Sequence, residues 1–560
     1  MGIEKRKLRR RSDTKMETFG NLKAKKFTKT YFPKSERQLC HDSTNKELAI
    51  GIATDRQNES SPFTTRYLSF LCGKRSAFTM SLLIRSGLSL LTRTTKKTNT
   101  RQQSLVVRRK IRYFVGKKSY QEKTEQMKKT ISLVIALISC LTIGAQEFQQ
   151  YFTDATLRID YTFTGNAKSQ AIAVDELCKI PRWYGKRQRL AELPVEGNGQ
   201  ITVRDHRSQR VIYRNSFSTL FQEWLSYDEA KTNTKAFQNV FLVPYPKDTI
   251  DVTLDLKNNR RQTMATLTHT VAPADILIRR IGEKAVTPYE TLQQAADTTH
   301  CIHIAYVAEG YTESEMPVFI DDCRTAMEAL FAHEPFKSMR SRFNIVAVKA
   351  PSEESGTSEP GRGIWKNTAL HSNFNTFYSD RYLTTLHLKD LHDWLAGTPY
   401  EHIIVLVNTK NYGGGGILNS YNLSMTHHPA FKPVVVHEFG HSFAGLGDEY
   451  AYGKEEIPMY PHDIEPWEPN LTTLVDFNSK WADMVKEKTP VPTPQPATLG
   501  QPNAKKTNWE TGAYEPAGYS QHGVYRPYPD CRMRTNENPE FCPVCQRAIT
   551  RMINFYTDKQ

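Results

Sequence analysis

Residues 434–450 read Val-Val-Val-His-Glu-Phe-Gly-His-Ser-Phe-Ala-Gly-Leu-Gly-Asp-Glu-Tyr. On a helix, His437 and His441 stand four residues apart and share one face. Two imidazoles so placed can ligate one metal ion at about 2.0–2.1 Å. Glu438 is one step round the helix, where it can reach a water on that ion without being a ligand. The three valines make an apolar entry and imply a buried helix. Gly445 and Gly447 then stop the helix and permit a sharp reversal. A chain turned back there brings a carboxylate to the histidines. Asp448 is the expected third ligand, because a short side chain fixed after the turn has less entropy to lose; Glu449 is the alternative. Two neutral imidazoles and one carboxylate leave a fourth position for water, the arrangement of a zinc hydrolase. The competing reading is a solvated surface helix with two incidental histidines. The valines and the Gly-x-Gly-Asp-Glu exit oppose it.

A second segment lies downstream. Residues 523–527 read Gly-Val-Tyr-Arg-Pro, 531–534 read Cys-Arg-Met-Arg, and 541–545 read Phe-Cys-Pro-Val-Cys. His437, Glu438 and His441 running into Gly445, Asp448, Glu449 and Tyr450, followed by Cys531, Met533, Arg534, Phe541, Cys542 and Cys545, resemble the IgA-peptidase family of bacterial zinc metallopeptidases. The resemblance is specific over roughly 280–560, diffuse over roughly 146–275, and absent from 1–126. It implies an endopeptidase with one catalytic Zn2+ and a protein or peptide substrate, glycoproteins among them. It also implies a methionine turn, with Met533 as an apolar floor beneath the metal. The chain departs from the commonest methionine-turn pattern in two ways. Asp448 lies one residue further from His441 than the usual third histidine, and it is an acid. Immunoglobulin A as substrate is not implied.

Tyr519, Tyr525, Arg526 and Arg534 are candidates to hold substrate or the oxyanion, with a purely structural role as the alternative for each. Cys531, Cys542 and Cys545 admit three readings. In an exported chain a disulfide of Cys531 with Cys542 or Cys545 is expected, and it would pin the segment that carries Met533. Half of a structural zinc site and unpaired core thiols are the alternatives.

The chain has 560 residues and a formal charge of +16. The excess is local. Residues 1–126 hold 30 lysines and arginines against 10 acids, which leaves 45 against 49 in the remainder. No nucleic-acid partner follows from such a distribution. At Met127 a charged start, an apolar run from Ile131 to Leu141 and Gly144-Ala145 compose a secretory signal. Residues 1–126 are therefore read as a basic segment that is disordered or not genuinely translated, and 127–145 as a signal peptide. The mature chain is expected to be exported, to the periplasm, the medium or the cell surface, without a transmembrane helix. Acylation at Cys140 is the alternative form of export.

Short alternating runs separated by turn residues over 148–270 predict an antiparallel β-sandwich. They fall at Ala155–Phe163, Gln200–Tyr213, Asn239–Tyr245, Thr249–Leu256 and Met264–His269, with a short helix near Leu220–Ala230. Further on, strands at Ile302–Ala308, Arg342–Ala350 and His402–Asn408 alternate with helices from Met316 to Phe331 and over Leu383–Trp394. Thr312 and Glu315 compose a capping box. Gly413–Gly416 form either a flexible loop or a sheet edge where a peptide adds as a strand. Residues 489–506 look like an exposed insertion. The expected class is α+β: an amino-terminal antiparallel β-sandwich over 146–275, then a mixed α/β zincin-like metalloprotease domain over 276–560. Two other functions compete with an endopeptidase: a zinc-dependent amidase for cell-wall peptides, and a non-enzymatic surface binding protein with a vestigial metal site. The intact Glu438 opposes the latter.

Overall fold

The computed structural model describes residues 148–451, 459–494 and 511–558. The basic segment, the signal peptide with Cys140, and most of the stretch 489–506 lie outside the described residues. Among those described, no helix is long and apolar enough to cross a membrane.

The first half of the described chain is rich in β-structure. Its strands are β1 (Phe152–Gly165), β2 (Gln170–Ile180), β3 (Gly199–Asp205), β4 (Val211–Phe217), β5 (Lys235–Pro246), β6 (Ile250–Lys257) and β7 (Thr263–Val271). A five-residue helix, α1 (Leu220–Trp224), separates β4 from β5. One sheet has the order β5-β1-β2, antiparallel, and is extended by β8 (Arg279–Arg280) parallel to β2. The other is antiparallel in the order β4-β3-β6-β7. Alternate residues of each strand point the same way. Leu157, Ile159, Tyr161 and Phe163 of β1 accordingly share one core with Ile201 and Val203 of β3 and with Val252 and Leu254 of β6.

The second half is mixed. A six-stranded sheet contains β9 (Tyr289–Gln293), β10 (Ile302–Glu309), β11 (Phe343–Val348), β12 (His402–Val407), β13 (Gly414–Ile417) and β14 (Tyr421–Met425) in the order β13-β14-β12-β10-β11-β9. The four inner strands are parallel, and the two outer ones run antiparallel. Its helices are α2 (Met316–Phe331), α3 (Leu388–Trp394), α4 (Phe431–Ala444) and α5 (Pro543–Thr557). The strand β10 is buried at every position, as a central parallel strand must be. Its faces divide cleanly. Ile302, Ile304 and Tyr306 join a core with α2, α4 and α5, whereas Ala305 and Val307 join the core of the β-rich half. Arg158 on β1 marks the same continuity. Wholly buried, it forks onto Asp160 at 2.7 and 2.8 Å and reaches Asp393 on α3 at 2.5 Å. With neighbours on both faces, β1 does not show the in-out burial of a one-sided strand. The architecture is α+β.

Several local expectations change. Gln200–Tyr213 is two strands, because Asp205 accepts the N–H and O–H of Ser208 and closes a turn. The strand β2 had no counterpart in the reading of the sequence. The helix expected from Leu383 begins only at Leu388: Thr385 Oγ1 donates to Leu370 O and accepts the N–H of His387, which holds the preceding residues in a loop. The expected capping box at Thr312 and Glu315 is formed. The glycines from Gly414 to Gly416 form an edge strand directly against α4.

Candidate metal centre

The helix α4 ends at Gly445, whose φ of +62° is the left-handed conformation glycine adopts without cost. The chain then folds back on the helix, and Leu446 O accepts from His441 Nδ1 at 2.5 Å. His437 Nδ1 donates to Arg532 O at 3.0 Å. Both Nδ1 atoms face carbonyl oxygens, so each neutral ring carries its proton there and presents a lone pair at Nε2. Those two Nε2 atoms lie 3.0 Å apart. Asp448 Oδ1 lies 3.1 Å from the first and 3.3 Å from the second. Three acceptor atoms converging in a buried place need a cation among them. Two imidazoles and a carboxylate are a donor set that suits one, and these three residues compose a possible metal-holding group.

The His441 ring and the Asp448 carboxyl each shift the other strongly. Burial pushes His441 down, but the charge and hydrogen bond of Asp448 outweigh it and raise the imidazole to about 9. Burial pushes Asp448 up, but His441 and His437 hold its carboxyl far below the usual carboxylate range. Tyr519 Oη donates to Asp448 Oδ2, the oxygen turned away from the histidines. Gly518 steadies the same residue, its N–H meeting Asp448 O at 2.9 Å.

Glu438 lies on the side facing the edge strand β13. A Cβ on Gly414 would stand 2.7 Å from Glu438 Oε1, and one on Gly416 would stand 2.4 Å from Glu438 O. Burial pushes the Glu438 carboxyl up, against the pull of His437 and His441. Met533 is fully buried beside Gly440, and its own carbonyl accepts the N–H of Glu449 at 2.9 Å.

Glu449 faces away from the histidines. Its Oε1 accepts from Asn470 Nδ2 at 2.9 Å and meets Cys545 Sγ at 3.1 Å. Arg534 is 3.5 Å from Asp530, Tyr525 interacts with Glu515, and Arg526 donates to Pro516 O and Pro529 O, so of the four suggested substrate contacts only Tyr519 touches a residue of the metal-holding group. Cys531, Cys542 and Cys545 are all thiols here, in place of the expected disulfide. Two residues of the site were missed. Glu223 on α1 is close enough to Asp448, His441 and Glu438 to feel their charges, and Tyr382 Oη donates to its Oε2 at 2.5 Å. No local pattern marks Glu223, because it reaches the site across more than two hundred residues of chain.

Fold and site together define a zinc-dependent metallopeptidase. The chain belongs to the IgA Peptidase M64 family: that family's model matches residues 291–508 and 499–553, and the Peptidase M64 N-terminus model matches 147–268. No curated protein matches the chain.

Proposed function

We propose that this chain is an endopeptidase that cleaves protein substrates, glycoproteins included, with a single catalytic Zn2+ held by His437, His441 and Asp448. The observation that carries this reading is the convergence of two Nε2 lone pairs and a carboxylate oxygen within 3.3 Å of one another. The domain reading that accompanies it is a β-sandwich over 146–275 and a zincin-like catalytic domain over 276–560.

Zinc bound at that point supplies Lewis acidity to a water and to the scissile carbonyl. The protein's own groups do the remainder. Glu438 takes a proton from the attacking water on its carboxylate and returns it to the leaving amine. Its buried position favours proton uptake, which suits a base that must become an acid within one turnover. Tyr519 fixes the rotation of the Asp448 carboxylate, so that Oδ1 stays turned to the imidazoles. The carbonyls of Arg532 and Leu446 fix the two ring tautomers. Met533 fills the space below the helix with apolar volume and excludes water from that side. Tyr382 bridges the outer side of β13 at Gly414, so a substrate peptide in extended form would pair with the outer backbone beyond that bridge.

The test is peptidase assay before and after chelation, with zinc restored, beside Glu438→Gln. The variant should retain metal while losing turnover by about 10²–10⁴-fold. Cleavage of muropeptides but of no polypeptide would favour the amidase. Near-normal turnover in Glu438→Gln would remove Glu438 from its role.

A further inference from the structure

Asp448 and Glu449 are neighbours in sequence, yet they serve two different clusters. Glu449 is fully buried and joins Cys531, Cys542 and Cys545, which are 0–4 % exposed. One ligand atom from each of the four residues lies within 4.8 Å of all the others. Cys531 Sγ and Cys545 Sγ are 3.8 Å apart. Tetrahedral zinc with bonds to sulfur of about 2.3 Å separates its sulfurs by about 3.8 Å.

We propose that Glu449, Cys531, Cys542 and Cys545 bind a second, structural zinc ion, distinct from the one at the histidines.

Four observations support a metal over the alternatives. First, Glu449 Oε2 is buried and has no hydrogen-bond partner among the described residues. A buried carboxylate oxygen without a partner is costly, and a cation removes that cost. Second, a disulfide would join only two of the three sulfurs at about 2.05 Å, leaving the third thiol and the carboxylate enclosed together. Third, Cys542 is the N-cap of α5 and Cys545 lies in its first turn, behind Pro543. A helix amino terminus stabilises thiolates, the form in which cysteine binds metal. The backbone N–H of Cys542 also points at Cys531 Sγ from 3.1 Å, as a donor to a ligating sulfur would. Fourth, three thiolates and a carboxylate carry four negative charges, of which a divalent ion offsets two. The wholly buried guanidinium of Arg526 acts on Glu449 from nearby, and its Nε has no hydrogen-bond partner among the described residues.

Such an ion would tie together three pieces of chain, one of them more than eighty residues from the other two. It links the turn that follows α4, the 531–534 segment carrying Met533 and the carbonyl of Arg532, and the start of α5. The catalytic histidines lean on two of those three pieces. A closed Cys3Glu site has no open position for substrate, so its part is structural. The inference stands independently of the catalytic reading, since no residue is shared between the two groups.

Metal analysis of the full-length chain, purified in reductant and without chelator, tests it. The expected content is two zinc ions per chain, falling to one in His437→Ala and to one in Cys545→Ser. Cobalt exchanged into the wild-type chain should give an intense thiolate-to-cobalt charge-transfer band in the near ultraviolet. Imidazole and carboxylate ligands alone do not produce that band. It should persist in His437→Ala and vanish in Cys545→Ser. One zinc per wild-type chain with no thiolate band would overturn the proposal, whether denatured protein then shows three free thiols at these positions or only one. Should Cys545→Ser not fold, the wild-type and His437→Ala cobalt spectra decide alone. A wild-type chain that shows the thiolate band but holds no ion at the histidines would defeat the catalytic reading and leave this one standing.

Discussion

The thioether of Met533 presses on the helix backbone at Gly440: a Cβ built on that glycine would lie 2.8 Å from Met533 Sδ. Gly440 immediately precedes His441, so this contact sets how closely the floor approaches the turn that carries both imidazoles. The same strip of chain supplies Arg532 O to His437 Nδ1. Met533 and the His437 ring are therefore positioned by one segment.

Gly440→Ala should consequently strain the site from below. Inserting a methyl group into a filled core costs about 1–3 kcal/mol. The variant should unfold at lower denaturant concentration and hold the histidine-site metal more weakly. Adding Met533→Ala to it should restore part of the stability lost, a coupling that a double-mutant cycle measures. Strictly additive effects would show that the two residues do not touch.

The edge strand gives a sharper contrast. At Gly416 a new methyl group would meet the rigid backbone carbonyl of Glu438 at 2.4 Å, with His441 Cβ at 2.9 Å. At Gly414 it would meet the movable carboxylate end of Glu438 at 2.7 Å, with Val434 Cγ1 at 3.0 Å. Gly416→Ala should thus be the more destabilising, by about 1–3 kcal/mol. Gly414→Ala should fold nearly as well as the parent but displace the Glu438 carboxylate, and on the proposed role of that residue should lower kcat with little change in KM. Denaturation curves and steady-state kinetics on the two variants separate these effects, and the reverse ranking of stabilities would refute the placement of Glu438 over the strand.

Much of this arrangement was legible in the sequence, for physical reasons. The spacing of His437 and His441 is a helical period, and Gly445 marks where the helix must end. The buried strands β10 and β12 read as apolar runs because parallel strands covered on both faces have no polar side to show. What stayed hidden depends on contacts distant in sequence. The strand β2 is largely exposed or half-buried, so its sequence carries only a weak alternation. The loop before α3 contains Leu383-Thr384-Thr385, and the hydrogen bond from Thr385 to Leu370 O that delays the helix lies outside any local window. Glu449 could be seen as a rival to Asp448, but nothing local shows it turning to cysteines more than eighty residues away.

Acid should destabilise the fold through its buried histidines. His303 donates from Nδ1 to Tyr184 O at 3.1 Å, and burial pushes it down to about 4. His402 is enclosed by Phe439, Phe443 and Tyr556, and burial pushes it down to about 3. An unfolded histidine titrates near 6.5. Between those values the unfolded chain binds protons that the folded chain refuses. The stability these neutral rings allow is whole above about pH 6.5 and is lost as pH falls towards 4 and 3. Each contributes a slope of up to about 1.4 kcal/mol per pH unit. His402→Phe should flatten the dependence by about one proton, read from denaturant unfolding at a series of pH values below 7. Parallel stability lines for the two proteins would rule His402 out as a contributor.

Glu223 brings a third carboxyl group, beside those of Glu438 and Asp448, towards the histidine cluster from the β-rich half of the chain. Burial, with the charges of Asp448 and Glu438 added, pushes its carboxyl up to about 7, against the Tyr382 hydrogen bond and His441. A cationic substrate side chain placed beside it would favour its ionised form. Glu223→Gln keeps the shape and still accepts from Tyr382 Oη, so the fold and metal content should not change. Peptides with lysine or arginine next to the scissile bond should lose about tenfold in kcat/KM, a little over 1 kcal/mol of differential binding, whereas neutral peptides should lose much less. A matched pair of peptides differing only in lysine against glutamine makes the comparison. An equal loss on both would mean that Glu223 acts on the metal site as a whole and does not select the substrate.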